Sequence, residues 1–220
     1  MVVWIMRRNK ILKKLNKKYA FGLGLILIVF GAFLFNQLSK NDTPTSTETI
    51  TYSTDQPDET KPDKDAYEWQ GGPKDPKYIT LPTINTEGFV QNVGIDQNSQ
   101  VAVPSNIHVA GWFTDSKSPG EQGLSVIDGH LNGRGANGIF VDLEQLKSGD
   151  KYTVELGDGT VKSYEVMEIS VVNTKDSVNV LFSQDPKVKS QLNLITCGGN
   201  FDQQNRLYDK RVIASSKLID

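Results

Sequence analysis

The stretch Lys151 to Val172, KYTVELGDGTVKSYEVMEISVV, sets two β-type runs on either side of the turn signal Leu156-Gly157-Asp158-Gly159-Thr160. Tyr, Thr, Val and Ile suit a pleated, half-buried surface, and the Gly-Asp-Gly centre supplies a tight reversal, so the stretch reads as a β-hairpin. Outward from it the same texture holds from about residue 78 to the C-terminus. YITLPTI, GFVQNVGI, LSVIDGH, QLNLITC and YDKRVIASSKLI bring the count to seven short runs, separated by Gly, Asn, Asp and Pro. Seven such runs in this length predict an all-β barrel or sandwich. Only short helices are expected, near Phe140 to Lys147 and Val178 to Phe182, and there is no internal repeat or heptad.

The N-terminal third is built differently. Residues 1–18 carry seven cations (Arg7, Arg8, Lys10, Lys13, Lys14, Lys17, Lys18) and no acid, so the other 17 Lys and Arg face all 26 Asp and Glu. A weakly acidic body argues against nucleic acid as a partner, because phosphate binding needs clustered cations. Between Lys18 and Lys40 lie 21 uncharged residues, YAFGLGLILIVFGAFLFNQLS, enough as a helix to cross the roughly 30 Å hydrocarbon layer. The stretch is longer than a signal-peptide core, and Phe33-Leu34-Phe35 offers no small-residue cleavage site, which predicts an uncleaved anchor. Cations before it and an acidic segment after it predict a cytoplasmic N-terminus and an extracytoplasmic body.

The expected organisation is a basic cytoplasmic segment (1–18), a transmembrane helix (19–39), a flexible extracytoplasmic linker (40–77) and a β-domain (78–220). The linker assignment rests on Thr, Asp, Pro and Lys with few apolar residues, too little to offset chain entropy. Tyr67 and Trp69 are the residues that would let part of it fold back.

Chemistry on the β-domain must come from a short inventory: one cysteine, Cys197, in LNLITCGG (192–199), two histidines, His108 and His130, and the acids and arginines. A lone thiol has no intramolecular disulfide partner and is either a small buried hydrophobe or a reagent. Cys197 ends one run, His130 ends another, and Arg211 opens a third, positions that strand ends at one rim of a barrel can bring together. Singly each reads as core, surface or solvated charge. Jointly they make a set for acyl transfer: a thiolate attacks a carbonyl, an imidazole handles its proton, and a guanidinium holds the oxyanion.

LITC, the segment IDGHLNGRGANGIFVDLEQLKSGDKYTVEL and YDKRVI, with Arg211 fourteen residues after the cysteine, resemble the three signature regions of the sortases, cysteine transpeptidases of cell surfaces. The resemblance covers essentially residues 78–220, and GWFTDSKSPGEQGLSVIDGH (111–130) is similar to the class E and F type. The family pattern T-L-x-T-C appears as Asn193-Leu194-Ile195-Thr196-Cys197, with Asn in place of the first Thr.

The resemblance implies an eight-stranded barrel, with Cys197 as nucleophile, His130 as acid and base, Arg211 as oxyanion and substrate holder, and Thr196 as a substrate-supporting residue. It further implies cleavage of a Leu-Pro-x-Thr-Gly-type sorting motif on exported proteins through a thioester. The acyl group then passes to an amine of peptidoglycan or of a pilin.

No cofactor is expected. Gly133-Arg134-Gly135-Ala136-Asn137-Gly138 formally matches G-x-G-x-x-G, but it lacks the strand and helix of a dinucleotide site. It reads as a flexible rim loop beside His130. His108, His130 and Cys197 lack the paired short spacing of a zinc set. Some sortases bind calcium through acidic loops, and Glu87, Asp96, Asp176 and Asp185 lie in such loops here, yet no calcium-loop spacing is present and no ligands are assigned. The competing readings are a tethered, non-catalytic β-domain in which Cys197 is core, and a cysteine hydrolase that releases peptides to water.

Overall fold

The computed structural model describes residues 57–96 and 100–220. The segments expected to be cytoplasmic (1–18) and transmembrane (19–39) and the first part of the expected linker lie outside the described residues, among which no helix is long and apolar enough to cross a membrane.

Eight strands close into a barrel: β1 (Pro76–Leu81), β2 (Thr86–Val93), β3 (Ala110–Phe113), β4 (Gly123–Asp128), β5 (Lys151–Leu156), β6 (Val161–Asn173), β7 (Ser190–Asp202) and β8 (Leu207–Leu218), hydrogen-bonded in the order β1-β2-β3-β4-β7-β8-β6-β5 and back to β1. The opening hairpin is β5–β6, with Tyr152 opposite Tyr164 and their rings stacked at 5.6 Å. Two neighbouring pairs, β2–β3 and β4–β7, are parallel. Their long connections carry the loops at the functional end. The seven runs each became a strand. The eighth, β3, is the four-residue AGWF, held by its register with β2 and β4.

Side chains alternate along each strand, so each strand faces two environments. On β7, Leu192, Leu194 and Thr196 point into the barrel, where the two leucines join Ile79, Leu81, Val90, Ile127, Val154, Val212 and Ala214 in the main core. Gln191, Asn193, Ile195 and Cys197 point outward. A second apolar cluster, Phe113, Val126, Leu181, Ile195 and Ile213, covers that outer face.

Its roof is the β6–β7 connection, which contains the one described α-helix, α1 (Ser177–Leu181). Two amides hang this connection on β7. Asn193 Nδ2 donates to Leu181 O at 2.7 Å, Gln191 Nε2 donates to Ser183 O at 2.9 Å, and Gln191 Oε1 accepts from Asp185 N at 2.8 Å.

Residues 57–75 differ from the linker expectation and are fastened to the barrel. Asp58 N donates to Ser105 O at 2.8 Å and Ile107 N to Asp58 O at 2.9 Å. Tyr67 stacks on Phe89 at 4.2 Å, and Trp69 Nε1 donates to Val90 O at 2.8 Å. The mean composition is polar, but two aromatic side chains and satisfied backbone groups suffice to order the strap. β1 accordingly begins at Pro76, two residues before the expected domain boundary.

Candidate active site

Cys197 lies late in β7, directly opposite Arg211 on β8, so both side chains leave the hairpin on the same outer face. Both are half-buried, which separates Cys197 from the fully enclosed core. Just past the thiol the ladder slips between Gly198 and Phe201. The cause is Gly199, whose φ of +76° puts it in the left-handed region, where a Cβ would come within 2.1 Å of Asp209 Oδ1. That is what the paired glycines after the cysteine do.

His130 arrives from the other side. β4 runs parallel to β7 with Asp128 opposite Ile195, and Gly129 N donates to Ile195 O at 3.1 Å. His130 lies two residues past Asp128, in the loop that leaves β4, and Cys197 lies two residues past Ile195 on β7. His130 Nε2 is 2.7 Å from Pro104 O. A carbonyl only accepts, so Nε2 carries the hydrogen and Nδ1 is left as the basic nitrogen.

Arg211 is anchored through Nη1, which donates to Thr174 Oγ1 at 3.0 Å, Lys210 O at 2.9 Å and Tyr208 O at 3.3 Å. These bonds tie the guanidinium to the end of β6 as well as to its own strand. Burial pushes the Cys197 thiol above its ordinary pKa, Arg211 pulls it down, and the Asp128 carboxylate adds to the rise. The thiol is therefore protonated at neutral pH and must hand its proton on before it can attack.

The loop after His130 is more tightly held than a flexible rim. Gly138 N donates to Leu131 O at 3.0 Å and Phe140 N to His130 O at 3.0 Å, and a Cβ on Gly138 would stand 2.2 Å from His130 O. From the strap, Glu59 accepts from Arg134 N, and also from Gly135 N at 3.0 Å. Across the groove, Tyr208 Oη donates to Asn132 Oδ1 at 3.0 Å, linking the β7–β8 hairpin to this loop.

Thr196 is corrected by the fold. It pairs with Val212, is 1% exposed and points into the barrel, where its hydroxyl has no hydrogen-bond partner among the described residues. Adjacent residues on a strand face opposite ways, so with Cys197 in the groove the Thr196 side chain cannot support a substrate there.

His108 does not join the site either. Its Nε2 contacts Glu59 O at 3.1 Å, and it lines a separate cavity of about 650 Å³ with Lys61, Glu87 and Asp142. Among the described residues no three His, Cys, Asp or Glu side chains group as metal ligands. Two groups escaped sequence reasoning: Asp128, which shares a strand face with His130, and Glu59, which lay in the supposed linker.

A sortase-domain family model matches residues 79–219. Comparison with curated proteins finds no match. Among solved structures, a lid mutant of sortase A from Corynebacterium diphtheriae is 26% identical over 65% of this chain and 69% of its own, with a TM-score of 0.50. A sortase D5 transpeptidase from Clostridium perfringens is also 26% identical, over 66% of this chain and 80% of its own, with a TM-score of 0.49. Sortase C from Clostridium perfringens SM101 is 22% identical over 66% and 70%, with a TM-score of 0.47, a likeness of fold alone. With the family model spanning most of the chain and a closed eight-stranded barrel that carries one half-buried thiol on its outer face, the chain belongs to the sortase family of cysteine transpeptidases.

Proposed function

We propose that this chain is a membrane-anchored sortase that cleaves a Leu-Pro-x-Thr-Gly-type motif of exported proteins and transfers the acyl fragment to an amine of peptidoglycan or of a pilin. The observation that carries the reading is the cross-strand pair Cys197–Arg211, with His130 two residues beyond the end of the neighbouring strand β4. In this reading His130 Nδ1 takes the thiol proton as Cys197 sulfur attacks the threonine carbonyl carbon. The oxyanion is balanced by the Arg211 guanidinium, and the proton is returned to the departing glycine amine. A C–S bond replaces a C–N bond, so acyl bond energy is conserved and no nucleotide is consumed.

The anchor expected at residues 19–39 and the outward orientation fit substrates that are themselves exported. The class E and F assignment rests on the likeness of residues 111–130 alone.

The test is capture of the acyl-enzyme. The purified full chain, mixed with a Leu-Pro-x-Thr-Gly peptide, should gain the mass of the acyl fragment on Cys197, and Cys197→Ala should abolish both adduct and cleavage. Cleavage by the alanine variant at the parent rate would end the catalytic assignment. Added amine that diverts the acyl product without slowing cleavage separates transfer from plain hydrolysis.

A further inference from the structure

Asp128 is a fourth ionisable group at the site, with no role in the steps above. It is half-buried at the end of β4, pairs with Gly111 of β3 and Ile195 of β7, and its Oδ1 accepts from Gly129 N at 2.6 Å. By strand alternation its side chain shares the outer face with Ile195 and Cys197. The charged and titratable groups that face it are His130 from the following loop, Arg211 from β8 and the Cys197 thiol from β7. Residues of α1, the roof over this face, carry no charge.

The second half of a transpeptidation poses a proton-counting problem. An acceptor amine reaches the enzyme as an ammonium ion, and an ammonium that becomes an amide nitrogen sheds two protons. One ends on the departing sulfur and the other must go to water. His130 has one basic nitrogen, Nδ1, because Nε2 is committed to Pro104 O. It can hold one of the two protons at a time.

We propose that Asp128 binds the incoming acceptor as its ammonium ion and accepts the first proton, leaving His130 to pass the second to sulfur. The free amine then attacks the thioester carbonyl and a C–N bond forms. The C–S bond breaks with its electron pair on Cys197, which His130 protonates, and Asp128 releases its proton to water once the product has left. Burial raises the Asp128 carboxyl to about 6, against the pull of His130 and Arg211. It is thus ionised at neutral pH yet more basic than an ordinary carboxylate, the condition for a proton acceptor near the working pH.

This inference rests on the transpeptidase reading and is tested apart from it. The full chain, acylated with a Leu-Pro-x-Thr-Gly peptide, is offered triglycine amide, whose amino group is largely an ammonium at neutral pH, or hydroxylamine, which is uncharged. Any cost of Asp128→Asn to acylation or folding is common to both nucleophiles and cancels in the ratio of their products. A lost charge-assisted contact should lower the ratio of triglycine amide to hydroxylamine product about tenfold to a hundredfold, through KM for triglycine amide, and Asp128→Glu should restore part of it. An unchanged ratio, or equal loss with both nucleophiles, overturns the role of Asp128. Failure of the parent to form any thioester would instead overturn the transpeptidase reading.

Discussion

Asn193 on β7 donates to Leu181 O of α1 at 2.7 Å, while its own Oδ1 accepts from Gln191 Nε2 at 2.9 Å. This is the position where the chain departs from the family pattern T-L-x-T-C, and the fold gives the departure a purpose: the longer amide reaches the roof of the groove. Asn193→Ala takes the side-chain donor from the Leu181 carbonyl and leaves Gln191 Nε2 with Ser183 O as its remaining acceptor. It should destabilise the protein by about 1–3 kcal/mol, read as a lower urea midpoint. An unchanged midpoint would mean that α1 is held by its apolar contacts alone.

The thiol should respond to its two charged neighbours in opposite directions. Arg211 lowers the Cys197 pKa and Asp128 raises it. Iodoacetamide alkylation at pH 7 should therefore slow in Arg211→Ala and quicken in Asp128→Asn, with the alkaline rise of rate displaced to higher and lower pH respectively. Shifts in the same direction would show that desolvation, not charge, dominates both changes.

Asp128 also links stability to pH. Its folded value of about 6 lies above the ordinary carboxylate value of 3.8, so the folded state binds this proton more tightly. The resulting stabilisation is complete below about pH 4 and lost as pH rises through about 6. Asparagine has no proton to lose. Asp128→Asn should therefore gain on the parent across that interval, by up to about 2–3 kcal/mol, and run parallel to it above. Denaturant midpoints at pH 4, 5, 6 and 7 measure the divergence.

A Cβ on Gly138 would stand 2.2 Å from His130 O. Gly138→Ala must therefore push the His130 backbone, although it removes no reacting group. Overpacking of this kind costs about 1–3 kcal/mol, and the expected signature is a fall in kcat/KM of about tenfold or more while Cys197 still alkylates at the parent rate. Full activity would show that the loop yields without moving the imidazole.

The strap's hold on the same loop is open to measurement by hydrogen exchange. Glu59→Ala removes the carboxylate that accepts from Arg134 N and Gly135 N. Both amides should exchange faster, while the amides of β7 and β8 stay protected. Equal protection in the variant would mean that Gly133 N to Ala136 O and Gly138 N to Leu131 O hold the loop unaided.

Much of this architecture is legible residue by residue. The hairpin at 151–172 and the other five runs carry local β chemistry strong enough to show as strands, because each strand is itself a stretch of suitable residues. β3 is not legible, since AGWF is four residues with a glycine in it and becomes a strand only through its neighbours. The expectation of strand ends differs from the fold at two residues: Cys197 and Arg211 pair within β7 and β8, which run on past them into the hairpin, while His130 does follow the end of β4. The substrate-supporting role that the resemblance implies for Thr196 is at odds with strand alternation, which sends its side chain indoors. Applied to the segment IDGH, the same alternation would have placed Asp128 beside His130. Mean composition reads the strap as linker, while Tyr67 and Trp69, the two residues that mark a fold-back in the sequence, are the ones that pack on the barrel.

The two faces of β7 behave like a reading frame. Even-numbered residues from Leu192 to Thr196 spell the interior and odd-numbered ones from Gln191 to Cys197 spell the groove, so inserting or deleting one residue upstream of the thiol would swap the two messages. Polar amides would be driven into the barrel, leucines would stand under the roof where the amides that hang it belong, and the sulfur would be sealed inside. This strand can vary in what each position says, but not in how many positions it has.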